Sequence, residues 1–452
     1  MTQRRAHGAW VIALALLSRL AVVVWGWSRF PPEADGKFYH TVAQRIAHGQ
    51  GYTWLWGDGA VTYAAHYPVG YPALVGAGYA VFGPSPGVAM SIAAVLGAVA
   101  SLLGYDLLAR HTTPRRALAG GLLLALHPAL VPYTAALMTD GLAASLLLVA
   151  AWLVDRAAAS PARFPLKALV PLGLLFGALT LLRPQSLVLA PVFGALALRG
   201  RGAKGYLAGA AVVVALTVAT CLPWTLRNCA RMDRCALVSV NGGWNLLIGA
   251  QTENGAWQEI RVPEACRNVF SEAGKDTCFE KAAKEEIRAR PMTWLLRVPA
   301  KLGATFDYFG AGPWYLHASS PAAFDDGAKT ALGAIETLVH RITLLGALAV
   351  LGLTKGAQRW RRSRIALAAL GALAALFPHG GALAHLALAI LAGVDTRLPS
   401  RLASAVLAAT LALHAVFFGA GRYGLVVVPF VVMVALLRPA PEETGAGGIV
   451  VA

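Results

Sequence analysis

Five charged side chains sit beside long apolar runs, where a merely greasy chain has no need of them: Asp35, Asp140, Arg183, Arg227 and Arg422. Asp35 lies in EADGKFYHTVAQRIAHGQGYTW (33–54), Asp140 in PYTAALMTDGLAA, Arg183 in LTLLRPQSLVLAP, Arg227 in PWTLRN and Arg422 in GRY. A carboxylate held near a hydroxyl can take its proton. A guanidinium matches the oxygens of a phosphate in bidentate fashion. Each residue also has a plainer reading. Asp140 can cap a helix and oppose its dipole, Arg183 and Arg422 can anchor helix ends at lipid headgroups, and Asp35 can be a solvated loop acid. His66, beside Tyr67, reads first as structural and second as a metal ligand.

The elements that must position these groups are membrane helices. The chain has 452 residues, 57% hydrophobic and 13% charged, against roughly 25% charged in soluble domains. Mean hydropathy is +0.59, and apolar stretches of about 17–25 residues, long enough to cross a bilayer as helix, recur throughout. The N-terminal run lacks a small-x-small cleavage site before Trp25 and reads as an uncleaved first span. Arg19 within it must face protein or reach headgroups. The net charge of +17 does not imply a nucleic-acid partner. The basic residues cluster in short connections (Arg4 and Arg5; Arg110, Arg115 and Arg116; Arg156, Arg163 and Lys167; Arg199, Arg201 and Lys204; 355–364; Arg397 and Arg401) two spans apart, the positive-inside pattern.

With those loops inside, the chain threads about twelve times: 9–27, 86–109, 117–133, 141–157, 166–182, 186–198, 205–224, 329–353, two short spans within 365–393 split by PHGG, 401–418 and 423–437. The whole reads as one domain, 1–437, followed by an inner tail, 438–452. Its first outer loop is 28–85, within which 67–83, interrupted by Pro68 and Pro72, reads as a broken juxtamembrane helix. The long outer loop is 225–298. The stretch 291–309 reads as an interfacial helix with Trp294, Val298, Leu302 and Phe309 on one face and Arg297 and Lys301 on another. Cys229, Cys235, Cys266 and Cys278 all fall in the long loop, which reads as two disulfides in an oxidising compartment. Of the three possible connectivities, Cys229–Cys235 with Cys266–Cys278 is the simplest. This topology collects Asp35, Asp140, Arg183, Arg227 and Arg422 on the outer side, where the loops are otherwise short.

The order Asp35-x-x-x-Tyr39, IAHGQGYTW, YPVGYPALV, HPALVPYTAALMTDGL, LTLLRPQSLVLAP, PWTLRN with VSVNGGWNLLIGA, and HAVFFGAGRYGLVVVPF resembles GT-C-fold glycosyltransferases of the family 39 type, over about residues 9–437. That branch includes protein O-mannosyltransferases and the lipid A aminoarabinose transferase. Two features depart from its pattern: Gly36 follows Asp35 where many members carry a second acid, and Pro68-Val69-Gly70-Tyr71-Pro72 replaces Pro-Pro-Gly-Tyr-Pro.

The resemblance implies an all-α polytopic fold and an inverting enzyme. It would move a sugar from a polyprenyl-phosphate donor to a hydroxyl acceptor (protein, lipid or glycan) at the outer membrane face. Asp35 is then the base. Arg183, Arg227 and Arg422 hold the leaving phosphate, and Asp140, with His66, positions the acceptor or a divalent cation. Tyr39, Tyr71, Asn228, Asn241, Trp244, Asn245 and Tyr423 form a sugar or lipid wall. The helices at 67–83 and 291–309 border a groove for the polyprenyl tail, and the long loop sets acceptor choice. The absence of any N-x-Ser/Thr sequon accords with a bacterial inner membrane, the site facing the periplasm. Two rivals stand beside this reading. An O-antigen-ligase-like glycan transferase would keep its essential residues in the long loop. A transporter or flippase would show an internal repeat and midplane charges.

Overall fold

The computed structural model describes residues 2–162, 164–354 and 360–438. Arg163, the 355–359 part of the basic loop and the tail beyond Arg438 lie outside them. The described chain is almost entirely helical: α1 (Thr2–Gly26), α2 (Asp35–Ala47), a hairpin of β1 (Thr53–Leu55) and β2 (Val61–Tyr63), then α3 (Gly70–Phe82), α4 (Pro86–His111), α5 (Pro114–Leu126), α6 (Thr139–Ala158), α7 (Leu166–Leu182), α8 (Leu189–Ala197) and α9 (Gly202–Arg231). There follow α10 (Gly242–Gln251), α11 (Glu272–Ala289), α12 (Pro291–Leu296), α13 (Val298–Phe306), α14 (Ala311–Ser319), α15 (Asp326–Leu353), α16 (Arg361–Ala375), α17 (Gly381–Gly393), α18 (Leu398–Val416) and α19 (Val428–Ala435).

Helix boundaries fall where local chemistry puts them. Ser85 accepts from the N–H of Gly87 with Pro86 at the first helical position, and Thr113 and Asp325 cap α5 and α15 through the N–H groups of Arg116 and Ala328. A hydroxyl or carboxylate oxygen there satisfies a donor that has no partner within the helix, and proline loses nothing in the first turn.

Among the described residues, α1, α4, α6, α9, α15 and α18 are the six helices long and apolar enough to cross a membrane. The other six expected spans are shorter helices (α5, α7, α8, α16, α17, α19), with α8 and α19 each extended by a 3₁₀ turn at Pro184–Val188 or Gly421–Val427. All twelve expected runs are therefore helical. The polytopic all-α architecture is as expected, with only half the spans at full length.

Packing follows chain order. α1 lies on α4 and α5, α6 on α7 and α8, α9 on α7 and α8, α15 on α16 and α19, and α17 between α16 and α18. Gly194 of α8 and Gly209 of α9 bring two backbones together: a Cβ on either would stand within 2.3 Å of the other's carbonyl oxygen. Small residues permit such approach where lipid supplies no hydrophobic drive between helices. Arg19 faces protein. It is buried and donates to the carbonyls of Ala15 (3.1 Å), Ala125 (2.8 Å) and Leu124 (3.3 Å), the last two at the carbonyl end of α5.

The basic connections gather at one pole. Arg4 and Arg110 bind Asp106 at 2.7 and 2.5 Å, Arg110 and His111 bind Asp155 at 2.9 and 2.6 Å, and Arg116 donates to the carbonyl of Leu437. Asp35, Asp140, Arg183 and Arg422 lie together elsewhere, around one cavity.

Two expected elements differ. α3 is continuous, because Pro68 precedes it and Pro72 falls in its first turn, where no intrahelical donor is lost. The 291–309 stretch is two helices meeting at Arg297. Pro299 cannot donate to the preceding turn and breaks the run. Its charged face also turns inward, since Lys301 is wholly buried and donates to the carbonyl of Val416 at 3.1 Å. The long loop carries its own small core around Leu247, Ile248 and Phe279. Its cysteines pair as Cys229–Cys235 and Cys266–Cys278.

Candidate active site

A cavity of about 420 Å³ is lined from five directions: the start of α2, the 66–68 segment, the α6 and 183–185 turns, the first half of α10, and the 413–423 corner after α18. Asp35 is the first residue of α2. It follows Ala34, whose φ of 50° and ψ of −130° lie in a region that favours glycine. That turn aims the carboxylate at two donors. Tyr67 donates to Oδ1 at 2.8 Å, and Arg422 Nη1 donates to Oδ2 at 2.8 Å. Burial, and then Asp35 itself, push the Tyr67 hydroxyl far above its ordinary range, so it stays a donor.

A second ion pair lies deeper. Arg183 contacts Asp140 Oδ1 through Nη1, which also donates to Thr139 Oγ1 at 3.2 Å, while the Tyr133 hydroxyl donates to Asp140 Oδ2 at 3.0 Å. With the Gln185 amide turned so that its oxygen faces the guanidinium, Arg183 Nη2 and Nε donate to it at 2.8 and 3.0 Å. The exposures of the two pairs differ: 26% for each side chain of Asp35–Arg422, but 2% and 10% for Asp140 and Arg183.

Tyr423 joins them. Its ring centroid is 5.1 Å from the Arg422 guanidinium and 5.4 Å from that of Arg183, within cation–π range. The His414 ring stacks on it at 4.5 Å. The far wall is Asn241, Trp244 and Asn245 of the long loop. His66 sits edge-on to Tyr67 and Trp244 at 4.8 and 5.4 Å, and burial holds its imidazole down at about 4, against a smaller upward pull from Asp35.

Chemically, this is an open polar cavity with two carboxylates, two guanidiniums and an aromatic floor. Its charges balance within the site. An incoming oxyanion has to compete with a carboxylate for a guanidinium, and Arg422, a quarter exposed, is the more accessible of the two.

Residues 66–224 match the family model described as dolichyl-phosphate-mannose-protein mannosyltransferase. The resemblance read from the motifs holds over that segment. Among solved structures the chain is similar to ArnT from Cupriavidus metallidurans bound to undecaprenyl phosphate, at 14% identity and a TM-score of 0.41, covering 94% of this chain and 77% of that one. It is also similar to the archaeal oligosaccharyltransferase AglB from Archaeoglobus fulgidus in complex with an inhibitory peptide and a dolichol-phosphate. There the identity is 14% and the TM-score 0.45, covering 94% of this chain and 50% of that one, so it spans half of the longer protein. No curated protein sequence matches the chain.

Of the residues singled out by sequence, Asp35, Tyr39, His66, Asp140, Arg183, Asn241, Trp244, Asn245, Arg422 and Tyr423 line the cavity; Arg227, Asn228 and Tyr71 do not. Arg227 is turned away onto the first outer loop. It donates to the carbonyls of Tyr52 (2.8 Å) and Ala64 (2.9 Å) and stacks on Trp224 at 4.6 Å. Asn228 is fully buried and spends its amide on the carbonyls of Ala236 and Val238. Tyr71 is buried behind Tyr39, with ring centroids 5.1 Å apart. No residue of 291–309 lines this cavity.

Gly36 has a steric reason. A Cβ there would stand 2.8 Å from the Tyr315 hydroxyl and 3.1 Å from the Leu137 carbonyl oxygen, leaving no room for a second acid. Among the described residues no three His, Cys, Asp or Glu side chains converge on a common point. Both oxygens of Asp35 and of Asp140 already face guanidinium or phenol donors. This donor set does not fit a divalent cation.

Sequence reasoning missed Tyr67, Tyr133, Gln185, His414, Phe417 and Trp257. All but Trp257 fall inside or beside motifs already quoted. An aromatic in an aromatic-rich loop carries no signal of its own until a partner is known.

Proposed function

We propose that the protein is an inverting GT-C-type glycosyltransferase that moves a sugar from a polyprenyl-phosphate donor to a hydroxyl acceptor. The observation that carries this is the Asp35–Arg422 pair, 2.8 Å apart and partly open to a cavity of about 420 Å³, together with the family match over 66–224.

Without substrate, Arg422 neutralises Asp35. A donor phosphate that takes Arg422 frees the carboxylate, so binding of the donor prepares the base. The acceptor oxygen attacks the anomeric carbon as the bond from that carbon to the phosphate oxygen breaks. The acceptor proton passes to Asp35, and the leaving phosphate keeps the bonding pair against Arg422. Tyr67 holds Asp35 in position through the exchange. Arg183 acts behind this pair, fixing Asp140 and the 183–185 turn, while Asn241, Trp244 and Asn245 wall the acceptor side. The active site faces the periplasm, on the side opposite the basic pole, in a bacterial inner membrane.

Asp35→Asn keeps the size and the Tyr67 bond but removes the base. In purified protein supplied with radiolabelled polyprenyl-phosphate-mannose and polyprenyl-phosphate-aminoarabinose, transfer or slow hydrolysis is expected with one donor and a loss of at least about 10²-fold in the variant. Full activity of Asp35→Asn sinks the assignment. Silence of folded wild type with every such donor returns weight to the ligase or transporter readings.

A further inference from the structure

A second cavity, of about 550 Å³, opens at the other end of α10 and shares no lining residue with the first. Its walls are the last residues of α10, the 253–263 segment, the end of α11 and one side of α12. Gln251 builds it. Its Nε2 donates to Glu286 Oε1 at 2.8 Å and to the Arg261 carbonyl at 3.2 Å, and its Oε1 accepts from the Arg261 N–H at 2.8 Å.

What is left over is cationic. Arg261 meets Glu253 at 3.6 Å, with both side chains largely in the open. Arg297 gives one N–H to the carbonyl of Ala250, and Arg290 makes no side-chain hydrogen bond or ion pair among the described residues. The Trp294 indole N–H is buried with no acceptor. Behind that ring, 4.9 Å from its centroid, stands the buried ammonium of Lys301, bound only to the carbonyls of Ala415 and Val416. Three arginines, Arg261, Arg290 and Arg297, thus line the cavity with two carboxylates, Glu253 and Glu286, and the Lys301 ammonium adds positive charge from behind the Trp294 ring. A donor without an acceptor at a cationic cavity calls for an anion with oxygen acceptors.

α12 says where that anion comes from. Thr293, Trp294 and Arg297 point into the cavity, while Met292, Leu295 and Leu296 lie on the opposite half of the same helix and are 63%, 49% and 75% exposed. A short helix that is apolar outward and cationic inward suits a membrane surface with a headgroup beneath it.

We propose that this cavity is a headgroup site for an anionic phospholipid, separate from the sugar-transfer cavity. The phosphate lies between Arg290 and Arg297 and accepts from the Trp294 N–H, and the acyl chains run along Met292, Leu295 and Leu296. The placement of α12 at the membrane surface rests on the topology proposed above; the binding itself is independent of catalysis.

The test uses full-length protein in detergent, native mass spectrometry with phosphatidylglycerol and phosphatidylcholine, and calorimetric titration with inorganic phosphate. Wild type is expected to retain phosphatidylglycerol over phosphatidylcholine. Arg290→Ala, at an exposed position, is expected to lose that preference about tenfold, one guanidinium–phosphate contact. Arg297→Lys, which keeps the charge but not the fork, should also weaken it. Unchanged retention in both variants overturns the proposal. So does inorganic phosphate binding wild type as tightly as the lipid does, which would make the ligand a soluble anion. No sugar donor is present, so neither outcome bears on transfer.

Discussion

Two arginine–aspartate pairs of the same chemistry differ in burial, and the roles proposed for them follow that difference. Asp140 and Arg183 are almost wholly out of water, whereas Asp35 and Arg422 are each 26% exposed. Removing one partner of a buried pair strands the other charge, at about 3–5 kcal/mol. A fully exposed pair is worth about 0–1 kcal/mol, and Asp35–Arg422, a quarter exposed, falls between these limits. Arg183→Ala is therefore expected to lower the unfolding midpoint sharply. Arg422→Ala should lower it less than Arg183→Ala does, while transfer falls at least about 10²-fold. Thermal unfolding in detergent beside a donor-turnover assay reads both, and the reverse ranking would exchange the two roles.

His66 supplies a pH signature at the same scale. Its folded-state value of about 4 lies below the ordinary 6.5 because burial disfavours the imidazolium. Below 6.5 the unfolded chain binds a proton that the folded chain refuses, so stability present above that value is lost as pH falls toward 4. His66→Gln should flatten the fall of the unfolding midpoint with pH across that window. An unaltered slope would mean that His66 titrates like a solvent-exposed histidine.

At the scale of elements, the first outer loop is held by a helix that belongs to another part of the chain. β1 and β2 pair in antiparallel register, Thr53 with Tyr63 and Leu55 with Val61, and three-residue strands are marginal without support. Arg227 of α9 supplies support through the Tyr52 and Ala64 carbonyls, and Glu272 at the start of α11 accepts from the N–H groups of Ala65 and His66 at 2.7 and 3.1 Å. Arg227→Ala is expected to speed amide hydrogen exchange across 61–66 and to lower turnover without raising the donor KM. A raised KM with unchanged exchange would restore Arg227 to the donor phosphate.

This is also where the sequence was least legible. Length and apolar composition locate all twelve helical runs, because a bilayer demands about 20 apolar residues or a protein-covered shorter helix. The hairpin was invisible, since three-residue strands leave no periodicity to read. Arg183, Arg227 and Arg422 look alike in sequence, each an arginine at the end of an apolar run. Only tertiary partners, a buried aspartate, two carbonyls or a partly open aspartate, tell them apart. Asp35, by contrast, is singled out by its position after the first span and by the motif resemblance, and its place in the cavity sets it apart from a solvated loop acid.

Across the whole molecule, two clusters of charge stand apart from one another. Arg4 and Arg110 with their acidic partners tie the ends of α1, α4 and α6 together, and Arg116 of α5 donates to the Leu437 carbonyl, while the cavity around Asp35 and Arg422 is built by the 28–85 loop, the long loop and the 183–185 and 413–423 turns. Loops rich in arginine tend to stay on the cytoplasmic side during insertion, and the proposed topology therefore opens the cavity on the other. The cysteines make this measurable with little background: four are paired in disulfides and Cys221 is buried. A single cysteine replacing Asp58 or Glu253, in the first and the long loop, should react with a membrane-impermeant maleimide in intact cells. One replacing Arg115 or Arg361 should react only after the membrane is permeabilised. Labelling of the Arg115→Cys variant from outside would invert the topology. It would place Asp35 and Arg422 in the cytoplasm, where a sugar donor presented at the periplasmic face could not reach them.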